Sequence, residues 1–154
     1  MVDGEPRRRG GRLTLRLRLV VLLAVALAIR LVFFGGLLCW DDLEYWKGGR
    51  ALLEGRYLPT SAFDIRYTLR VPLAVCQAWL GDSEWALALV PLGYSMAHLV
   101  LAWALGLLYG GVTVATLAVG LLAILPLDVI GATDVHADLP LAVFLAAEIG
   151  RAHV

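Results

Sequence analysis

Long apolar runs separated by short polar segments set the organisation of this chain. From 19 to 38 the side chains are apolar or glycine, with Arg30 the one charged interruption. At a rise of 1.5 Å per residue, such a run crosses a hydrocarbon core of about 30 Å, so it predicts a first membrane-spanning helix. Residues 86–108 predict a second span and 112–127 a third, joined by the tight turn Tyr109-Gly110-Gly111 and closed by Pro126. The apolar sequence from 139 onward opens a fourth. Between the first two spans lies a loop, 39–85, with an order of its own. Leu43, Trp46, Arg50 and Leu53 recur at helical spacing over 41–54, and Trp40, Tyr45 and Trp46 supply rings suited to a membrane interface. This predicts an amphipathic helix on the membrane surface, ended by Gly55. The apolar stretch 71–80 is too short to span and is punctuated by Gly81-Asp82, which predicts a partly embedded helix. The expected fold class is all-α, a multi-spanning membrane protein with interfacial helices in its first loop.

Composition agrees with that class. The 154 residues are 60% hydrophobic and 17% charged, outside the range of an ordinary soluble domain. Net charge is +0, yet its distribution is uneven. Arg7, Arg8, Arg9, Arg12, Arg16 and Arg18 crowd the segment 1–18, and no Lys or Arg falls between Arg70 and Arg151. A basic tail beside an apolar run reads as a topology signal rather than a nucleic-acid site. The N-terminus is therefore expected in the cytoplasm, the loops 39–85 and 128–140 outside, and the protein in the plasma (inner) membrane as a multi-pass chain. Lys47, Arg50, Arg56, Arg66 and Arg70 in the outer loop dilute this bias but are far less dense. A cleaved signal peptide does not fit, since no small-x-small site precedes Cys39. The segment 148–154, EIGRAHV, reads as the translation of a sequencing adapter, so the natural sequence is expected to run on differently after about Ala147, as part of a longer membrane protein.

The chemistry concentrates in two acidic groups that this topology places on the same side: Asp41, Asp42 and Glu44 after the first span, and Asp128, Asp134 and Asp138 around the turn before the fourth. Carboxylates at the lip of a membrane helix are costly unless they meet water, a cation or a reacting group. Such groups can act as a general base, or hold a divalent metal that neutralises phosphate. Asp41 or Asp42 can equally cap the helix that starts there. Arg30 can meet a carrier phosphate, snorkel, or pair with an acid on another helix. His136 between Asp134 and Asp138 gives a metal-like but weak spacing, while His98 reads as an interhelical hydrogen-bond donor. Arg66 and Arg70 suit phosphate or lipid headgroups. Cys39 and Cys76, both expected near the outer face, are candidates for a bridge.

With these residues in view, the order of basic tail, span, WDDLEYWKGGRALLEGRY loop, RYTLRVPL segment, paired spans and TDVHADLPL loop resembles the N-terminal part of GT-C class glycosyltransferases. Within the class it is most similar to the protein O-mannosyltransferase and aminoarabinose transferase group. The resemblance covers Arg12 to Ala147. It implies a multi-spanning enzyme that takes a sugar from a polyprenyl-phosphate carrier and transfers it on the non-cytoplasmic face, with membrane lipid and lipid-linked sugar as its partners. It also implies that Asp41 and Asp42 include a catalytic base, Asp-Asp standing where the family often has Asp-Glu. Asp138, followed by Pro140 and Leu141, matches the acid at the entrance to the fourth span. Asp138, Tyr45, Arg66 and Arg70 are then expected to bind substrate, and Gly55 and Tyr57 to shape the loop. The rival readings are a transporter or flippase-type protein with an outer acidic site, and a non-catalytic membrane subunit.

Overall fold

The computed structural model describes residues 6–36, 40–61 and 64–152; Cys39, and with it one half of the expected Cys39–Cys76 bridge, lies outside them. Cys76 is half-buried on its helix. All the regular elements among the described residues are helices: α1 Pro6–Val32, α2 Trp40–Leu53, α3 Tyr67–Leu80, α4 Glu84–Ile124, α5 Pro126–Gly131 and α6 Asp138–Ala152.

The first helix differs most from its expected bounds of 19–38. It begins at Pro6, inside the basic segment, where proline suits the first helical turn and arginines are good helix formers. It ends at Val32, and Gly36 takes a positive φ of 72° shortly after. Arg30 thus sits in the last turn of α1, not in mid-span.

The longest element, α4, is two arms. Gly111, at φ 71° and ψ −164°, breaks it into 84–110 and 112–124 at the expected turn. Ser83 caps its start by accepting the Ala86 N–H at 3.2 Å. The arms fold back on each other, because Gly106 lies so close to Ala115 that a side chain at 106 would meet that residue's backbone. Leu99 and Trp103 of the first arm then pack with Ala115, Val119 and Ala123 of the second and with Ala26 of α1. Helices α1, α3, α5 and α6 all pack on α4. By length and apolar composition α4 is the one helix among the described residues able to cross a membrane. Arg16 and Arg18 near the middle of α1 and Arg30 in its last turn interrupt its apolar character.

The α2–α3 pair forms a second core. Tyr45, Leu69, Leu73, Leu87, Val90 and Val135 join α2, α3, the first arm of α4 and the segment before α6. Gly48 and Gly49 keep α2 close to α3, since a Cβ at either position would overlap Arg70 or Gln77. The face of α2 carrying Tyr45, Gly48 and Gly49 is therefore buried against protein, while Leu43 and Leu53 are exposed. In contrast, α3 is turned inside out. It buries Leu69, Arg70, Leu73, Ala74 and Gln77 and exposes Tyr67, Val71, Val75 and Trp79, an i, i+4 stripe with no charge on it.

Candidate functional site: a carboxyl pair beside a polar-lipped cavity

The ends of α1, α2 and α5 and the start of α6 meet at one end of the bundle. Two buried polar clusters form there. In the first, the fully buried Arg30 donates from Nε to Ser95 Oγ at 2.7 Å, from Nη1 to the carbonyls of Ala26 and Ala123, and from Nη2 to Asp128 Oδ2 at 2.5 Å. His98 Nδ1 lies 3.4 Å from Asp128 Oδ1. The acid that neutralises Arg30 thus comes from this chain, ninety-eight positions away, and the guanidinium is held by protein groups.

The second cluster joins the two acidic segments. Asp42, in the first turn of α2, is 1% exposed, and its Oδ1 accepts the Val135 N–H at 2.9 Å. Asp134, 4% exposed, sits beside it at hydrogen-bonding range. Two adjacent carboxyls cannot both ionise cheaply. Burial, and then the hydrogen bond and charge of Asp42, push the Asp134 carboxyl above its ordinary range, while His136 and the Val135 N–H pull the other way. His136 Nε2 is 3.0 Å from Asp134 Oδ2. Asp134 Oδ1 is buried and has no N–H or hydroxyl donor at hydrogen-bonding geometry among the described residues.

A cavity of about 350 Å³ runs between the clusters. His98, Asp128, His136 and Asp138 supply its polar lip, and Leu122, Leu125 and Ile130 are among its apolar walls. Its size and largely apolar lining with a few polar groups are those of a small-ligand site. Asp138 is exposed in the first turn of α6. Asp41 is half-buried on α2 and does not line the cavity.

The remaining expected site residues gather elsewhere. Arg70 is buried, with its guanidinium 5.3 Å from the Tyr45 ring and 5.1 Å from the Tyr57 ring, donating to Asp64 Oδ1 at 2.8 Å and to the Glu44 carbonyl at 3.3 Å. Arg66 donates to the Tyr45 hydroxyl at 2.7 Å. Tyr57 donates its hydroxyl to the Asp64 carbonyl, and Gly55, with φ +67°, ends α2 as the turn requires. Asp64 Oδ2 collects the backbone N–H and hydroxyl groups of Thr60 and Ser61. Those donors, the Thr60 N–H first, lower its carboxyl to about 2 against the opposing effect of burial. Arg70 and Asp64 thereby hold 57–61 and 64–66 against α2 and α3.

Asp42 is therefore brought to the cavity region with Asp134 and Asp138, while Tyr45, Arg66 and Arg70 form a separate cluster on the α2–α3 side. Asp134, a member of the second acidic group read from the sequence but given no individual role there, is the carboxyl through which the two groups meet. No group of three or more His, Cys, Asp or Glu side chains is placed to hold a metal among the described residues. No protein-family model, curated protein or solved structure matches this chain.

Proposed function

We propose that this chain is part of a multi-pass membrane glycosyltransferase that moves a sugar from a polyprenyl-phosphate carrier to an acceptor on the non-cytoplasmic face. The observation that carries this reading is the meeting of Asp42 with Val135 and Asp134 across about ninety positions of chain, beside a cavity lipped by Asp138. A site that splits a glycosyl phosphate needs carboxyls close to a half-apolar pocket, where they can take a proton and face developing positive charge. The membrane part of the proposal rests on surface chemistry. Val20, Val21 and Val25 of α1, Leu117 and Leu121 of α4, Phe144 and Leu145 of α6, and the α3 stripe all face outward. Buried charges are paired inside the bundle instead, as expected where lipid is the solvent. In this reading the first arm of α4, 84–110, crosses the membrane, the shorter second arm, 112–124, turns back beside it, and the arginine-dense start of the chain marks the cytoplasmic side.

Membranes from cells expressing the complete gene should transfer labelled sugar from a polyprenyl-phosphate donor. The Asp42→Asn variant should be slower by about 10²–10⁴. No transfer from any sugar in a donor panel would remove the reading. One observation favours a proton-coupled transporter instead: a carboxyl pair that shares a proton is also a coupling element. Substrate uptake by proteoliposomes under a pH gradient, with no sugar transfer, would decide for it. Orientation is tested with single cysteines at Thr60 and Tyr109, both exposed, in a background lacking Cys39 and Cys76. An impermeant thiol reagent on intact cells should label the first and spare the second.

A further inference from the structure

Asp42 and Asp134 are too deeply buried to touch an acceptor, and neither lines the cavity. His136 faces both ways. Its ring lines the cavity, its side chain is 42% exposed, and its Nε2 lies 3.0 Å from Asp134 Oδ2. We infer that His136 is the general base of the reaction, an assignment that rests on the glycosyltransferase reading above. With Nε2 turned towards the Asp134 carboxyl, Nδ1 is the ring nitrogen left to take a proton, and the carboxyl 3.0 Å away stabilises the imidazolium that then forms.

The other polar groups of the cavity are less suited. Asp128 is engaged by Arg30, and His98, whose buried Nδ1 lies 3.4 Å from Asp128 Oδ1 with no hydrogen bond among the described residues, is the less exposed of the two histidines. Asp138 is exposed, and among the described residues no hydrogen bond fixes its carboxylate. It is placed to hold the acceptor or face the positive charge that builds at the sugar. In the step that follows, the acceptor hydroxyl or amine gives its proton to His136 Nδ1 as its heteroatom bonds to the anomeric carbon. The bond from that carbon to the phosphate oxygen breaks, and its electron pair leaves with the polyprenyl phosphate. The proton then passes from His136 to water at the cavity mouth.

The test uses the complete gene product in membranes, with a polyprenyl-phosphate sugar as donor. His136→Ala should lower transfer by about 10²–10⁴, and added imidazole should recover a large part of that loss. His136→Gln keeps a donor for Asp134, has no base and fills the space, so it should be equally slow and insensitive to imidazole. Wild-type rates in either variant would overturn the role of His136 and leave sugar transfer standing. A loss in His136→Ala that imidazole does not relieve would overturn it too, since a packing role predicts that result. Absence of transfer in wild-type membranes would remove both this assignment and the reading beneath it.

Discussion

Arg30–Asp128 and Asp42–Asp134 are both buried, both join distant parts of the chain, and flank the same cavity, yet they are built on opposite principles. In the first a cation meets an anion, and Ser95 and two carbonyls take up three more guanidinium bonds. In the second a carboxyl meets a carboxyl, and burial together with the Asp42 neighbour pushes the Asp134 carboxyl above its ordinary range. The closed pair is a clamp for α1, α4 and α5. The like-charged pair is poised to change its proton count, and the one exposed group attached to it opens on the cavity. Burial alone therefore does not tell the two clusters apart; their charge balance does.

The largest expected effect comes from breaking the closed pair on one side. Arg30→Met leaves Asp128 without its cation and should cost about 3–5 kcal/mol, read as thermal unfolding in detergent micelles. Arg30→Met combined with Asp128→Leu should regain most of it, because removing both charges leaves no buried ion. A smaller loss is expected at the α2–α3 contact. Gly48→Ala places a methyl on the Arg70 guanidinium and should destabilise by about 1–3 kcal/mol, as overpacking does.

Smaller still, and the sharpest test of the contrast in charge, are two opposite pH dependences. The Asp134 carboxyl is raised in the folded protein, so the folded state binds its proton more tightly than the unfolded chain, whose carboxyl titrates near ~3.9. Its contribution is full below that value and is lost as pH rises through the folded value. Asp64, held at about 2, behaves in reverse: its contribution is full above ~3.9 and is lost as pH falls towards about 2. Asp134→Asn should flatten the decline in melting temperature on the alkaline side, and Asp64→Asn the decline on the acid side. Equal slopes in wild type and both variants would show that neither carboxyl is set by the environment described.

Sequence patterning carried the helices well wherever glycine marks a boundary. Gly55, Gly81 and Gly111 all take positive φ where a turn was expected, because glycine alone does so without strain. It failed at the end of α1. Hydropathy continues past Val32, but Phe34-Gly35-Gly36 leaves the helix and hydropathy does not register backbone freedom. The helix also reaches back to Pro6 through the basic segment, because arginine, though polar, has a straight side chain that favours helix. At the site, the sequence pointed to Asp42 and to the neighbourhood of Asp138. It could not show that the carboxyl packed on Asp42 is Asp134, nor that Asp128 is the partner of Arg30. Both are pairings across ninety or more positions, set by how α5 closes over the end of the α4 hairpin. The buried role of Arg70 was hidden in the same way, since only the close approach of α2 at Gly48 turns its guanidinium inward.

The claim that Asp42 and Asp134 work as one proton-sharing unit behind the cavity is tested most directly by a double-mutant cycle on sugar transfer from a polyprenyl-phosphate donor. Asp42→Asn, Asp134→Asn and the double variant are compared with wild type under saturating donor, with melting temperatures measured alongside. Residues acting as a unit are strongly non-additive. Each single variant should lose about 10²–10⁴ in rate, and the double variant should be about as slow as the slower single one. Losses that multiply, or single variants that transfer at the wild-type rate, would contradict the account.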